Sequence, residues 1–422
     1  MANRYWAGGS GTWNTSSTTN WSAASPILFT ASRSGSTLTT TGSPALVVGM
    51  TVWYNTDQFT GTFTSAGTIT GGSGNTWTTS GSGTISSQSM TAATVGASAP
   101  TSADNIFISG NGTSNASTIT VSGSAACNNF TNSGNANFAT SSGMLYVYGN
   151  FSMNVAPPSA FPVSITFRAT TTGKSFFPNN ATYSSSEIIF DGVGGGWTLS
   201  DNLISTSTLS LVNGTFNTGN YNIDASKFTS NTNSGFTNIR AIDMGSSTIT
   251  LSGSGYVWTV NDSFGSYTQN RGTSTLSLTS ASAKQIYCAG YNFYNVVQAG
   301  TGTLTYTGGF TINNMTATAL PTTIKLNSGG PYTFTTFGLT GVSSGSSLTL
   351  TSTSYGSPAY LSLASGSGTV SVSYCTLEDI NVASYGSGTT WLAYVANGNV
   401  DNGGNTGWVF APASTGNFMA FF

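Results

Sequence analysis

Ser247-Thr248-Ile249-Thr250-Leu251 is answered by Ser274-Thr275-Leu276-Ser277-Leu278 and again by Gly302-Thr303-Leu304-Thr305-Tyr306. Each stretch opens on small polar residues and then alternates apolar with hydroxyl side chains, the pattern of a β-strand with one buried face. The same grammar starts at Ser207-Thr208-Leu209-Ser210-Leu211. It continues through Thr322-Thr323-Ile324-Lys325-Leu326, Ser347-Leu348-Thr349-Leu350 and Gly368-Thr369-Val370-Ser371-Val372. Its interval drifts between about 20 and 40 residues, the range of solenoidal folds. Upstream, NIFIS (105–109), STITVS (117–122), MLYVY (144–148), VSITF (163–167) and EIIF (187–190) read as strands of the same kind. The expected fold is therefore all-β, a right-handed parallel β-helix of thirteen or so coils stacked about 4.8 Å apart. A string of β-sandwiches also yields short strands separated by turns. Drifting coil length and an uncharged outer face favour the solenoid.

Composition supports that choice. Of 422 residues, nine are basic and eleven acidic, with no histidine and three cysteines. Charged residues make up 5%, against about 25% in an ordinary globular protein. Stacked in-register strands place like side chains on one another, so Ser, Thr and Asn can form hydrogen-bonded ladders where Lys or Glu would repel. With 38% hydrophobic and 12% aromatic residues spread along the chain, a core is available and disorder is not expected. Nine basic residues give no cationic track for nucleic acid. Histidine-based catalysis and His metal sites are ruled out. No apolar run is long enough to span a bilayer, and MANRYWAGGSGTW has no apolar segment of a secretory signal. Cys127, Cys288 and Cys375 are odd in number and far apart, so they read as small buried side chains and not as a disulfide framework.

Both ends carry motifs. Arg4-Tyr5-Trp6-Ala7-Gly8-Gly9-Ser10-Gly11-Thr12-Trp13-Asn14, then Thr19-Asn20-Trp21-Ser22, leads on to Pro100-Thr101-Ser102-Ala103-Asp104-Asn105-Ile106-Phe107. Near the other end stand Thr390-Trp391 and Asp401-Asn402-Gly403-Gly404-Asn405-Thr406-Gly407-Trp408-Val409-Phe410. Together these resemble the opening and closing signatures of β-helical surface proteins of phages and bacteria. The chain departs from that pattern by placing about 75 residues between the two halves of the opening motif. The insert resembles a small β module of virion and bacterial surface proteins, with Leu46-Val47-Val48-Gly49-Met50-Thr51-Val52 as its V-G-x-x-V turn. The implied organisation is a cap segment at 1–26, an inserted β module at 27–95, a parallel β-helix at 96–410 and a tail at 411–422.

The candidate chemistry is sparse. Trp6, Trp13, Trp21, Trp391 and Trp408 cluster at the two ends, where flat side chains can cover the open core and protect a strand edge. The alternative is that they stack on sugar rings. Glycan cleavage would need two carboxylates in different roles. Glu187 and Asp191, four apart on EIIFD, can share one face of a strand, whereas adjacent Glu378 and Asp379 point to opposite faces unless a bend intervenes. Both pairs also read as scattered turn groups. Asp401-Asn402-Gly403-Gly404-Asn405 lacks the carboxylate spacing of a Ca²⁺ loop and reads as a turn. No metal and no cofactor is expected. Phe418, Phe421 and Phe422 in the apolar tail read as a docking or oligomerisation peptide, or else as a strand folded back on the last coil.

The resemblance implies a non-enzymatic structural protein on a phage virion surface, of tail-fibre or spike type, that binds a host-surface glycan, such as a polysaccharide, or another receptor. It implies other virion proteins as partners and a homo-oligomer, a trimer in the case of a spike. A head fibre or capsid-decoration protein and a depolymerase tailspike are the alternatives. No nucleic acid or membrane insertion is expected, and the absent export signal suits assembly in the host cytoplasm.

Overall fold

The computed structural model describes residues 1–56, 63–109, 117–185, 187–231, 238–261, 263, 265–288, 290–382 and 388–411. It is all-β, a parallel β-solenoid of about 12 turns with a small closed barrel inserted near the N-terminus. Among the described residues, one 3-10 turn at Val395–Asn397 is the only helical element. The chain divides into two compact units, 1–221 and 222–422, and the division falls inside the segment that the sequence presents as one series of coils.

In the first unit the alternation seen in the sequence becomes stacked ladders. Ile106, Phe130, Phe151, Phe176 and Leu199 pair in register, coil upon coil. A second ladder runs Cys127, Val147, Phe167, Phe190, Leu211. All of these are buried. Cys127 thus fills a core rung, and burial there pushes the pKa of its thiol well above the ordinary value. Phe151 has ring neighbours on every side, with Phe130 stacked at 4.7 Å and Phe176 edge-on at 5.4 Å. Such contacts hold together a core to which each coil adds only a few inward side chains, such as Phe130, Phe138, Leu145 and Val147.

Outside the core, the turns are tied by neutral ladders. Asn128 and Asn129 both donate to the Asn105 amide oxygen, at 3.0 and 2.8 Å. Asn129 in turn accepts from the Asn150 N–H at 2.7 Å, and Asn150 from the Ser175 N–H at 2.9 Å. The Ser175 and Ser200 hydroxyls meet at 3.0 Å, and those of Ser185 and Ser207 at 3.2 Å.

The insert is a closed antiparallel barrel of six strands, Ile27–Ser34, Thr37–Thr40, Thr51–Asn55, Phe63–Ser73, Thr76–Thr79 and Ile85–Ala93. Phe29, Leu38, Val52, Ile69, Trp77 and Met90 fill it. Its Trp53 packs outside this core, against Ala7 and Ala93, and so ties the barrel to the N-terminal segment.

The second unit repeats the scheme. Ile223, Ile249, Leu276, Val296, Met315 and Phe337 form one ladder. Phe228, Trp258, Ile286, Tyr306 and Leu326 form another. A three-stranded sheet of Ser367–Ser371, Gly388–Leu392 and Trp408–Val409 carries Val370, Trp391 and Trp408 on one rung line. Cys288 and Cys375 are buried and free, like Cys127.

Candidate functional site

The end motifs resolve into covering structures. Asn3–Trp6 lies parallel on Asn105–Ser109, and the short strand Trp21–Ser22 then runs antiparallel to it, with Trp6 facing Trp21. An antiparallel strand of two residues blunts the edge that a parallel coil would leave open. The rings of Trp6 and Trp21 meet edge-on at 5.0 Å, Trp13 meets Trp21 at 5.4 Å, and Trp13 lies parallel to Phe130 at 6.2 Å. Gly11 of the motif has a steric reason: a Cβ there would fall 2.1 Å from the Asn20 amide oxygen. Asn20 spans that gap, donating to the Gly8 and Ser10 carbonyls. Asp104 of the second half-motif accepts from the Thr101 N–H, the Thr101 hydroxyl and the Ala2 N–H. Burial raises its pKa, but these bonds and nearby Arg4 outweigh burial and leave it below the ordinary value.

At the other end Trp391 and Trp408 meet at 5.1 Å and cover Phe337 at 5.4 and 6.5 Å. The DNGGNTGW turn sits over Glu378 and Asp379. The Asp401 carboxylate accepts from the Gly403 N–H and the Asn405 amide, and a Cβ at Gly404 would meet an Asp379 oxygen at 1.9 Å. All five tryptophans are buried. Sugar stacking on them is thereby corrected: a sugar ring needs an open aromatic face, and these faces are spent on one another and on core phenylalanines.

The candidate carboxylates turn out to be ladder members. Glu187 and Asp191 occupy the same outward face of Glu187–Leu199, as their spacing requires. Glu187 Oε1 accepts from the Ser210 hydroxyl, and Asp191 Oδ1 from the Asn213 amide at 2.8 Å, in both cases on the next coil. Asp191 Oδ2 lies 3.6 Å from the Arg168 guanidinium, whose carbon sits 4.4 Å above the Tyr146 ring. Between Glu378 and Asp379 the anticipated bend exists, since Asp379 has φ 54°. It parts the two: Asp379 is buried and accepts from the Gly356 N–H, while Glu378 takes Thr351 and Asn402. Among the described residues no three acidic or cysteine side chains converge as a metal would require. Phe418, Phe421 and Phe422, with Asp57 and Asp262, lie outside the described residues.

One concavity was not singled out by the sequence. A groove of about 650 Å³ in the second unit is lined by Lys227, Thr229, Asn231, Tyr256, Thr259, Asn261 and Tyr287. It lies across the outer face of Lys227–Ser230, Gly255–Val260 and Lys284–Tyr287, where Thr229, Thr259 and Tyr287 form one rung line. In a regular strand Tyr256 and Trp258 would share a face. A bulge between them breaks the register, and Val257 and Trp258 both turn into the core, leaving Tyr256 54% exposed beside Tyr287 at 38%. The signal for it was present as Tyr-Val-Trp, an interruption of strict alternation.

Two buried cations brace the same coils. Arg240 donates to the Ser230 carbonyl at 2.6 Å and the Asn261 carbonyl at 2.9 Å, with its guanidinium carbon 5.6 Å from the Tyr267 ring centre. Lys284 donates to the carbonyls of Ser280 and Gly302 at 2.6 and 3.1 Å, and burial lowers its pKa to about 8. Compared with protein-family models, curated proteins and solved structures, the chain matches none.

Proposed function

We propose that this protein is a non-enzymatic fibre or spike on the outside of a phage particle, and that it binds glycan on the host surface. The observation that carries the reading is the combination of a hydroxyl and amide skin with a groove that leaves two tyrosine rings open. Such a surface hydrogen-bonds to sugar hydroxyls and offers apolar ring faces without a charge bias. Each contact is weak alone and gains strength through many copies on one particle. The viral location rests on the resemblance of the two end motifs to phage and bacterial surface β-helices. The candidate acids support binding over cleavage, because each is engaged by a hydroxyl or amide of a neighbouring coil. The test is competition: host cells preincubated with purified protein should adsorb less of the parent phage in a dose-dependent way. Undiminished adsorption at saturating protein, with the same protein detectable on the particle, would favour the head-decoration alternative and sink the receptor reading.

A further inference from the structure

Resting on that glycan-binding reading, we propose that the groove of Lys227, Tyr256 and Tyr287 is the binding site and that it selects an acidic saccharide, one carrying sugar-ring carboxylates. Tyr256 pairs with Gln285 and Tyr287 with Thr259, so the tyrosines sit on adjacent coils and two residues apart along the strand. With coils about 4.8 Å apart and about 3.3 Å per residue, their backbones are about 8 Å apart on the diagonal. That offset suits successive rings of an oligosaccharide laid obliquely across the coils.

The groove lining includes two nitrogen donors, on Asn261 and Lys227. Asn261 spends its amide oxygen on the Ser263 N–H and hydroxyl, at 3.0 and 2.7 Å, so the group its side chain would offer a ligand is the amide nitrogen. Lys227 is on the same strand face as Thr229, two residues away. Its stem runs over Gly253, where an added methyl would come 3.0 Å from the Lys227 Cγ. Among the described residues no carboxylate pairs with it; the one ion pair there joins Arg168 and Asp191. A partly buried lysine that lines the groove with two open tyrosine rings, in a chain with 5% charged residues, discriminates by one short-range contact with an anion. The buried Arg240 holds the backbone on both sides, at Ser230 and Asn261, so the groove is preformed. A lone cation also fits a saccharide carboxylate better than a polyphosphate backbone, which needs a track of cations.

The experiment measures binding of the whole chain by calorimetry to oligogalacturonate, oligomannuronate and oligosialate, each beside its carboxyl-reduced neutral form. At least one acidic oligomer is expected to bind more tightly than its reduced form, and added salt should erase the difference. Tyr256→Ala and Tyr287→Ala should each weaken binding by about tenfold or more. Lys227→Gln should bring the acidic oligomer down to the level of the neutral one and leave neutral binding unchanged. Thr259→Trp, which fills the groove from a strand position tolerant of aromatics, should block both. Retained trypsin resistance of each variant shows that it is folded. Equal binding of acidic and neutral forms by the unaltered protein, or full binding by the Tyr256→Ala/Tyr287→Ala double variant, would overturn the site. If that double variant still competes with phage adsorption, the fibre reading stands and only the groove assignment falls.

Discussion

At the level of single residues, the conspicuous tryptophans matter for bulk and flatness more than for their polar edge. Among the described residues no acceptor meets the indole N–H of Trp13 or Trp21, although both side chains are fully buried. A buried donor without a partner is a standing penalty. Trp13→Phe removes that donor while keeping a ring against Phe130, and its change in unfolding free energy should stay within about 1 kcal/mol. Trp13→Ala, which opens a cavity under the terminal strand, should lose about 3–5 kcal/mol. Denaturant melts of the two variants decide it; equal losses would mean that the indole N–H is satisfied in solution.

At the level of strands and turns, the outer ladders show how a nearly uncharged chain places its few acids. Asp191 faces Asn213, Glu187 faces Ser210 and Asp243 faces Asn270, so each carboxylate meets a neutral donor on the next coil. Asp243 and Asn270 are register partners, and the amide donates at 3.2 Å. Asn270→Asp would set two carboxylates on one rung, and we expect a loss of about 1 kcal/mol at neutral pH. The loss should shrink in high salt and on acidification, whereas Asn270→Ser should show neither dependence. The inserted barrel is a second element, tied to the N-terminal segment through Trp53. Trp53→Ala should leave the barrel's own core intact and raise amide exchange at Ala7 and Ala93, where Trp53 packs, without raising it at Leu38 or Ile69.

For the molecule as a whole, buried titratable groups set the pH range of stability. Lys284 loses its proton near pH 8 in the folded state and near 10.5 when unfolded, so unfolding takes up a proton between these values and stability rises with pH there. The thiols act in the opposite sense. Burial holds Cys127, Cys288 and Cys375 protonated above 9.0, where the unfolded chain gives its protons up, and buried Tyr183, Tyr267 and Tyr306 do the same above 10.0. Stability should therefore climb modestly from pH 8 to 9 and fall steeply beyond. Lys284→Met should flatten the rising limb and leave the falling one, as followed by guanidinium melts from pH 7 to 11. Protease resistance is a second property of the whole chain. All nine basic side chains are at least partly buried and seven lie within strands, so trypsin should leave the folded protein largely intact over hours. Rapid fragmentation would contradict stacked coils.

The alternating Thr-Ile-Thr-Leu and Thr-Leu-Ser-Leu stretches determined the all-β class, and their drifting interval with the scarcity of charge pointed to the solenoid, because period-two patterning and the electrostatic penalty on stacked ions are legible in the chain itself. The end motifs were legible for the same reason: Gly11, Asn20, Asp104 and Gly404 act on neighbours only a turn or a coil away. What the sequence left open depended on where each face came to rest. Five tryptophans that read as caps, with sugar platforms as the alternative, come to rest buried, and Glu187 with Asp191 meet partners on the following coil. The groove belongs wholly to the tertiary structure. Lys227, Tyr256 and Tyr287 are 29 and 31 residues apart in sequence and meet only because coils stack; Tyr-Val-Trp marks a break in alternation, but only the stacked coils decide that the bulge there turns Tyr256 outward.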